Sequence, residues 1–143
     1  FAVIYEPFTG DAKSGSIRAV TSLGDRTKFS GFKVVSQIAG RASTQYVLVQ
    51  PTATSVFEDA ALGLSFRGRY AVISVDDGGQ CTALYLGEGS KLRFQGVTLA
   101  SVSGANTAAA AEIVGATATL TAHASAELTL PGGKRITSVV PIR

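Results

Sequence analysis

Short stretches rich in Val, Ile, Thr and aromatic residues recur between clusters of Gly, Pro, Asp and Ser, which predicts antiparallel strands rather than alternating strands and helices. The first run from Phe1 to Glu6, Ser16 to Leu23, Phe32 to Ala39 and Gln45 to Gln50, closed by Pro7, Gly24, Gly40 and Pro51. None has helical periodicity. Arg69 to Val75 and Gln80 to Leu86 flank Asp76-Asp77-Gly78-Gly79, a composition suited to positive φ, and predict a hairpin. Gly87-Glu88-Gly89 predicts a second tight connection, into Lys91 to Ala100, so that these segments form a meander.

From Ala116 to Leu130 the alternation is unbroken, with Ala and Leu at even positions and Thr, His, Ser and Glu at odd ones. That describes a strand with one buried and one wet face. A single strand of this length would reach about 50 Å, far beyond the usual size, so a bend or turn is expected near His123. Ala105 to Val114 is left open between a short helix, favoured by its alanines, and a loop and strand, favoured by Gly104 and Gly115. Leu130-Pro131-Gly132-Gly133 reads as a turn, and Ile136 to Val140 as a last strand that Pro141 ends. The expected fold is all-β: an antiparallel β-sandwich of about ten strands with at most one short helix.

A length of 143 residues suits one domain spanning 1–143, and 45% hydrophobic against 16% charged residues excludes a disordered chain. The absence of Met implies a processed mature protein or a segment of a longer one. No apolar run approaches the roughly 20 residues of a membrane-spanning helix. A net charge of +3, from 13 basic residues scattered among 10 acidic ones, gives no block for nucleic acid.

Candidate chemistry is sparse. Nucleophilic catalysis needs an imidazole beside a nucleophile, and His123, the one histidine, lies on the polar side of its segment with Thr121 and Ser125. A catalytic zinc site needs three protein ligands, which one His and one Cys do not supply, so no metal and no cofactor are expected. Asp76 and Asp77 suit a turn better than a calcium loop, and Glu58, Asp59 and Glu88 pair as glycosidase carboxylates only on paper. Gly87-Glu88-Gly89 lacks the further glycine and helix of a nucleotide fingerprint. No catalytic residue is assigned. Arg67 with Arg69, and Lys91 with Arg93, are spaced two apart, so each pair is expected on one strand face. Together they form a basic facet suited to the carboxylates or sulfates of an acidic polysaccharide, set against the plainer reading of a solvated sheet face. Tyr5, Tyr46, Tyr70 and Tyr85 lie in strand runs and read first as packing rather than as a sugar-stacking surface.

The opening Phe1-Ala2-Val3-Ile4-Tyr5-Glu6-Pro7-Phe8-Thr9-Gly10, with Ile17-Arg18-Ala19-Val20-Thr21-Ser22-Leu23, resembles the C-terminal β region of heparinase II/III-like polysaccharide lyases. Tyr46-Val47-Leu48-Val49-Gln50-Pro51 and Ala83-Leu84-Tyr85-Leu86-Gly87-Glu88-Gly89 are similar to later strands of that family, while Asp11 to Gly15 depart from it. The resemblance implies a noncatalytic accessory domain of a secreted or periplasmic lyase. Its partners would be the parent's other domains and an acidic polysaccharide, with the catalytic Tyr and His elsewhere in the parent. Two other readings stay open: a structural or assembly subunit, motivated by Ala116 to Leu130, and an autonomous enzyme with His123 as general base.

Overall fold

The computed structural model describes residues 16–24, 31–38, 40–103, 108–114, 117–122, 125–129, 135–136 and 139–141. The strands among them are β1 (Ile17–Leu23), β2 (Gly31–Ile38), β3 (Arg41–Val49), β4 (Val56–Asp59), β5 (Leu64–Asp76) and β6 (Cys81–Phe94). After these come β7 (Val97–Ser103), β8 (Ala108–Val114), β9 (Thr117–Ala122), β10 (Ser125–Thr129), β11 (Arg135–Ile136) and β12 (Val139–Pro141). No helix occurs among the described residues. All these strands belong to one hydrogen-bonded sheet, antiparallel except for the parallel pair β9–β12.

This sheet becomes a sandwich because β5 and β6 each take part in two layers. The first layer runs β1-β2-β3-β5-β6-β8-β9-β12 and uses residues 70–76 of β5 with 81–87 of β6. The second runs β4-β5-β6-β7-β10-β11 and uses residues 64–67 of β5 with 91–94 of β6. Strands that change layer through a bulge are a recognised way to turn the corner of a sandwich. Here the register shifts between Arg67 and Gly68: Arg67 faces Lys91 while Gly68 faces Gly89, leaving Ser90 as the extra residue. Gly68 and Gly89 let the backbones approach, since a Cβ on Gly68 would lie 2.6 Å from the Gly89 Cα. Inward positions on β5 change phase across the shift, from Leu64 and Phe66 to Ala71, Ile73 and Val75.

The layers enclose one apolar core. Leu48, Ile73, Leu84, Leu86 and Leu120 from the first meet Leu64, Phe66, Leu92, Phe94 and Leu99 from the second. The Tyr46 and Phe94 rings touch across the gap with centroids 5.0 Å apart. At the far end from the corner, Gln95 Nε2 donates to the Gly79 carbonyl at 3.2 Å, joining the turn after β6 to the turn before it.

The β5–β6 hairpin forms where Asp76-Asp77-Gly78-Gly79 predicts it. Asp76 Oδ1 accepts from the Gln80 amide at 2.8 Å, and Gly79 takes φ 76°. Gly87-Glu88-Gly89, by contrast, is no connection: β6 runs straight through it, and the turn into β7 is Gln95-Gly96, at φ 50° and 77°. Glycine serves there for close approach rather than for chain reversal. Ala108–Val114 is strand, with Ala109 and Ala111 buried opposite Leu86 and Leu84, so core packing outweighs the helix preference of alanine. The 116–130 segment does divide near His123, and β9 and β10 join different layers. Ile136 to Val140 is split between β11 and β12, and β4 adds a short strand the alternation did not suggest. The expected strand Phe1 to Glu6, the turn at Leu130 to Gly133 and His123 itself lie outside the described residues.

Candidate functional site

Three of the four basic residues singled out in the sequence share one surface. Arg67 and Lys91 face each other directly across β5 and β6, on the outer side of the second layer. Lys91 also faces Ser101 of β7, which faces Glu127 of β10. In the neighbouring row Arg93 sits between Ser65 and Thr98, and its Nε donates to the Gly96 carbonyl at 2.9 Å. Arg67, Lys91 and Arg93 are exposed, and among the described residues none of them has a carboxylate within ion-pair distance. Exposed cations of this kind suit an external anion.

Arg69 departs from the expected facet. It lies past the register shift, so its spacing of two from Arg67 no longer sets it in the same row. It is half-buried at the corner, with Nη1 3.3 Å from Glu88 Oε2 and 3.4 Å from Oε1, and its guanidinium carbon is 5.2 Å from the Tyr70 ring centroid. Its Nε is buried with no hydrogen-bond partner.

The carboxylates do not assemble into a facing pair. Glu88 is held at the corner by Arg69. Glu58 and Asp59 lie on β4 beside an open depression of about 230 Å³ lined also by Ser65, Arg93, Gly63 and Gly96. Asp59 Oδ1 accepts from the Leu62 amide at 3.2 Å, which fixes the turn between β4 and β5. Asp76 is likewise occupied in its hairpin. Among the described residues no group of three or more His, Cys, Asp or Glu side chains converges for a metal.

The tyrosines divide into two kinds. Tyr46 is buried, and its hydroxyl is pushed above the usual phenol range by burial and then by the charge of Asp59. Tyr70 and Tyr85 are 38% and 43% exposed. Both project from the outer side of the first layer, a side opposite to inward Ala71 and Leu86. Tyr5 lies outside the described residues. Reading all four as packing material therefore missed two exposed rings; the signal for them was Gly87, two residues after Tyr85 and directly opposite Tyr70.

Residues 17–113 match the family described as the endo-acting ulvan lyase C-terminal domain. This span includes Arg67, Arg69, Lys91, Arg93, Tyr70 and Tyr85, and the stretches Tyr46 to Pro51 and Ala83 to Gly89 on which the lyase resemblance partly rested. Over 101 residues the chain is 33% identical to an endo-acting ulvan lyase of Formosa agariphila. The alignment covers 71% of this chain and 12% of that protein, so the chain corresponds to a small part of its relative. No solved structure matches. The expected likeness to the C-terminal part of a polysaccharide lyase is found, and the matching model is that of an ulvan lyase C-terminal domain.

Proposed function

The chain belongs to the endo-acting ulvan lyase C-terminal domain family, and from that premise we propose that it is a noncatalytic accessory domain of a secreted or periplasmic polysaccharide lyase. In this reading residues 1–143 form one β-sandwich domain that stabilises the parent enzyme by packing on its other domains and contacts its acidic polysaccharide. The parent's catalytic part is of the heparinase II/III-like kind, a reading supported by the strand motifs that resemble that family. The observation that carries the polysaccharide contact is the exposed set Arg67, Lys91 and Arg93, three cations on one sheet face with no ion pair among the described residues.

The test is titration of the chain with ulvan and with an uncharged polysaccharide at two salt concentrations, while the mixtures are monitored for ultraviolet-absorbing unsaturated products. Binding to ulvan that weakens with salt, without product, is expected. A contact of one exposed charge pair is worth about 1 kcal/mol at low salt, so Arg67→Ala with Lys91→Ala should weaken ulvan binding by about tenfold or more. Product formed by the chain alone overturns the noncatalytic role, and absence of binding overturns the polysaccharide contact. The alternative of an assembly subunit is distinguished by sedimentation at several concentrations, where ordered oligomers would favour it and a lone monomer would oppose it.

A further inference from the structure

Tyr70 and Tyr85 stand on adjacent strands of the same outer sheet face, Tyr70 opposite Gly87 and Tyr85 two residues before it. Diagonal neighbours of this kind are about 7–8 Å apart at Cα, within reach of each other's rings. Their surroundings keep them prominent. Gly87 has Tyr70 on one side and Ala108 on the other, and Tyr85 has Val72 and Ala110. Val72 stands beside Tyr85 and Val49 beside Tyr70, and the two tyrosines nonetheless keep 43% and 38% of their surface exposed.

The Tyr85 ring lies down over Gly87: a Cβ there would be 2.6 Å from Tyr85 Oη and 2.9 Å from Cε1 and Cζ. An aromatic ring laid on a strand glycine shields its backbone, and this alone accounts for the pose of Tyr85. It does not account for Tyr70, which exposes a second ring next to the first. At the corner side, the Arg69 guanidinium lies over the Tyr70 ring, its carbon 5.2 Å from the ring centroid, and is tied to Glu88 at 3.3 Å. The side chains of that ion pair are 41% and 53% exposed, so exchanging the Glu88 carboxylate for an external anion is inexpensive.

We propose that Tyr70 and Tyr85 form a stacking platform for pyranose faces of an acidic polysaccharide, with Arg69, which covers one face of Tyr70, receiving a carboxylate or sulfate in place of Glu88. The inference rests on the accessory-domain reading and adds to it a second contact surface, on the layer opposite to that of Arg67, Lys91 and Arg93. Aromatic faces supply sequence-tolerant apolar contact, and the guanidinium supplies the directional, charge-assisted bond.

The experiment uses the 143-residue chain, with ulvan as probe. Wild type is compared with Tyr70→Ala/Tyr85→Ala, Tyr70→Phe/Tyr85→Phe and Arg67→Ala/Lys91→Ala, each checked for its fold by circular dichroism, and tyrosine fluorescence of the wild type is followed during titration. Loss of about tenfold or more in affinity for the alanine pair, with an unchanged salt dependence, is expected. The phenylalanine pair should bind within about twofold of wild type, since it keeps the rings. Tyrosine emission should change on binding, which keeps the idea testable even if the alanine pair misfolds. If the tyrosine variants bind like wild type and only the Arg67/Lys91 variant weakens, the platform is wrong and the accessory reading stands. Loss of binding in the phenylalanine pair rejects stacking in favour of hydroxyl contacts. If wild type does not bind ulvan at all, the platform and the polysaccharide contact both fall.

Discussion

Cys81 begins β6 with its thiol buried and its Sγ donating to the Ala83 carbonyl at 3.6 Å. Burial pushes this thiol from its ordinary 9.0 up to about 11. The fold thus favours the neutral form. Stability from this group is complete below pH 9, where the unfolded thiol is also neutral, and is lost as pH rises towards 11. Tyr46, raised in the same direction, adds to that alkaline loss. Urea midpoints should therefore hold steady to about pH 8.5 and fall above it, and the fall should be shallower in Cys81→Ala. A thiol reagent at pH 8 should label Cys81 only as fast as the protein opens; rapid labelling of the folded chain would contradict this burial. Nothing in the neighbouring sequence announces that environment. The same holds for Arg69: Arg67-Gly68-Arg69 reads as plain alternation, and the inward phase of β5 changes just past Gly68, whose φ is 154°.

Among the elements, the β5–β6 hairpin organises the rest, and its corner is its tightest point. A Cβ at Gly68 would meet Gly89 Cα at 2.6 Å and Phe66 Cε2 at 2.8 Å. Neither can retreat, because one is backbone and the other a ring with no exposed surface. Gly68→Ala should accordingly destabilise by about 2–4 kcal/mol, measured by urea unfolding. Gly87→Ala meets only the Tyr85 ring, an exposed side chain that can swing away, and should lose no more than about 1 kcal/mol while displacing that ring. The two substitutions distinguish a glycine needed by the backbone from one needed by a neighbour. Sequence makes the hairpin tip legible because Asp-Gly chemistry is local. It hides the corner, since Gly87-Glu88-Gly89 has the composition of a turn but is used for proximity. Val56–Asp59 escapes notice for a different reason: a four-residue strand is too short for alternation to show.

For the whole molecule, the alternation and the lack of helical periodicity suffice to indicate a sandwich, because they state how many faces are buried. They do not state which strands meet. The pairing of β6 with β8 as well as β7, and the placement of β9 and β10 in separate layers, join residues distant in sequence and leave no local trace. One shared core, closed at one end by Gly68 and Gly89 and at the other by Gln95 on Gly79, leaves neither layer able to unfold alone. Far-ultraviolet and tyrosine near-ultraviolet signals should lose structure in a single coincident transition; two separated transitions would mean that the layers are independent.

Because β5 and β6 both thread the two layers, the tip at Asp77-Gly78 is also the natural place to divide the polypeptide. A cut there gives an amino-terminal piece with β1 to β5 and a carboxy-terminal piece with β6 to β12, each holding strands of both layers but closing neither. Apart, the pieces lack facing surfaces to bury and should remain unstructured; mixed, they should zip along the severed hairpin and recover the sandwich. The molecule would then serve as a split reporter whose two halves light up only in each other's company.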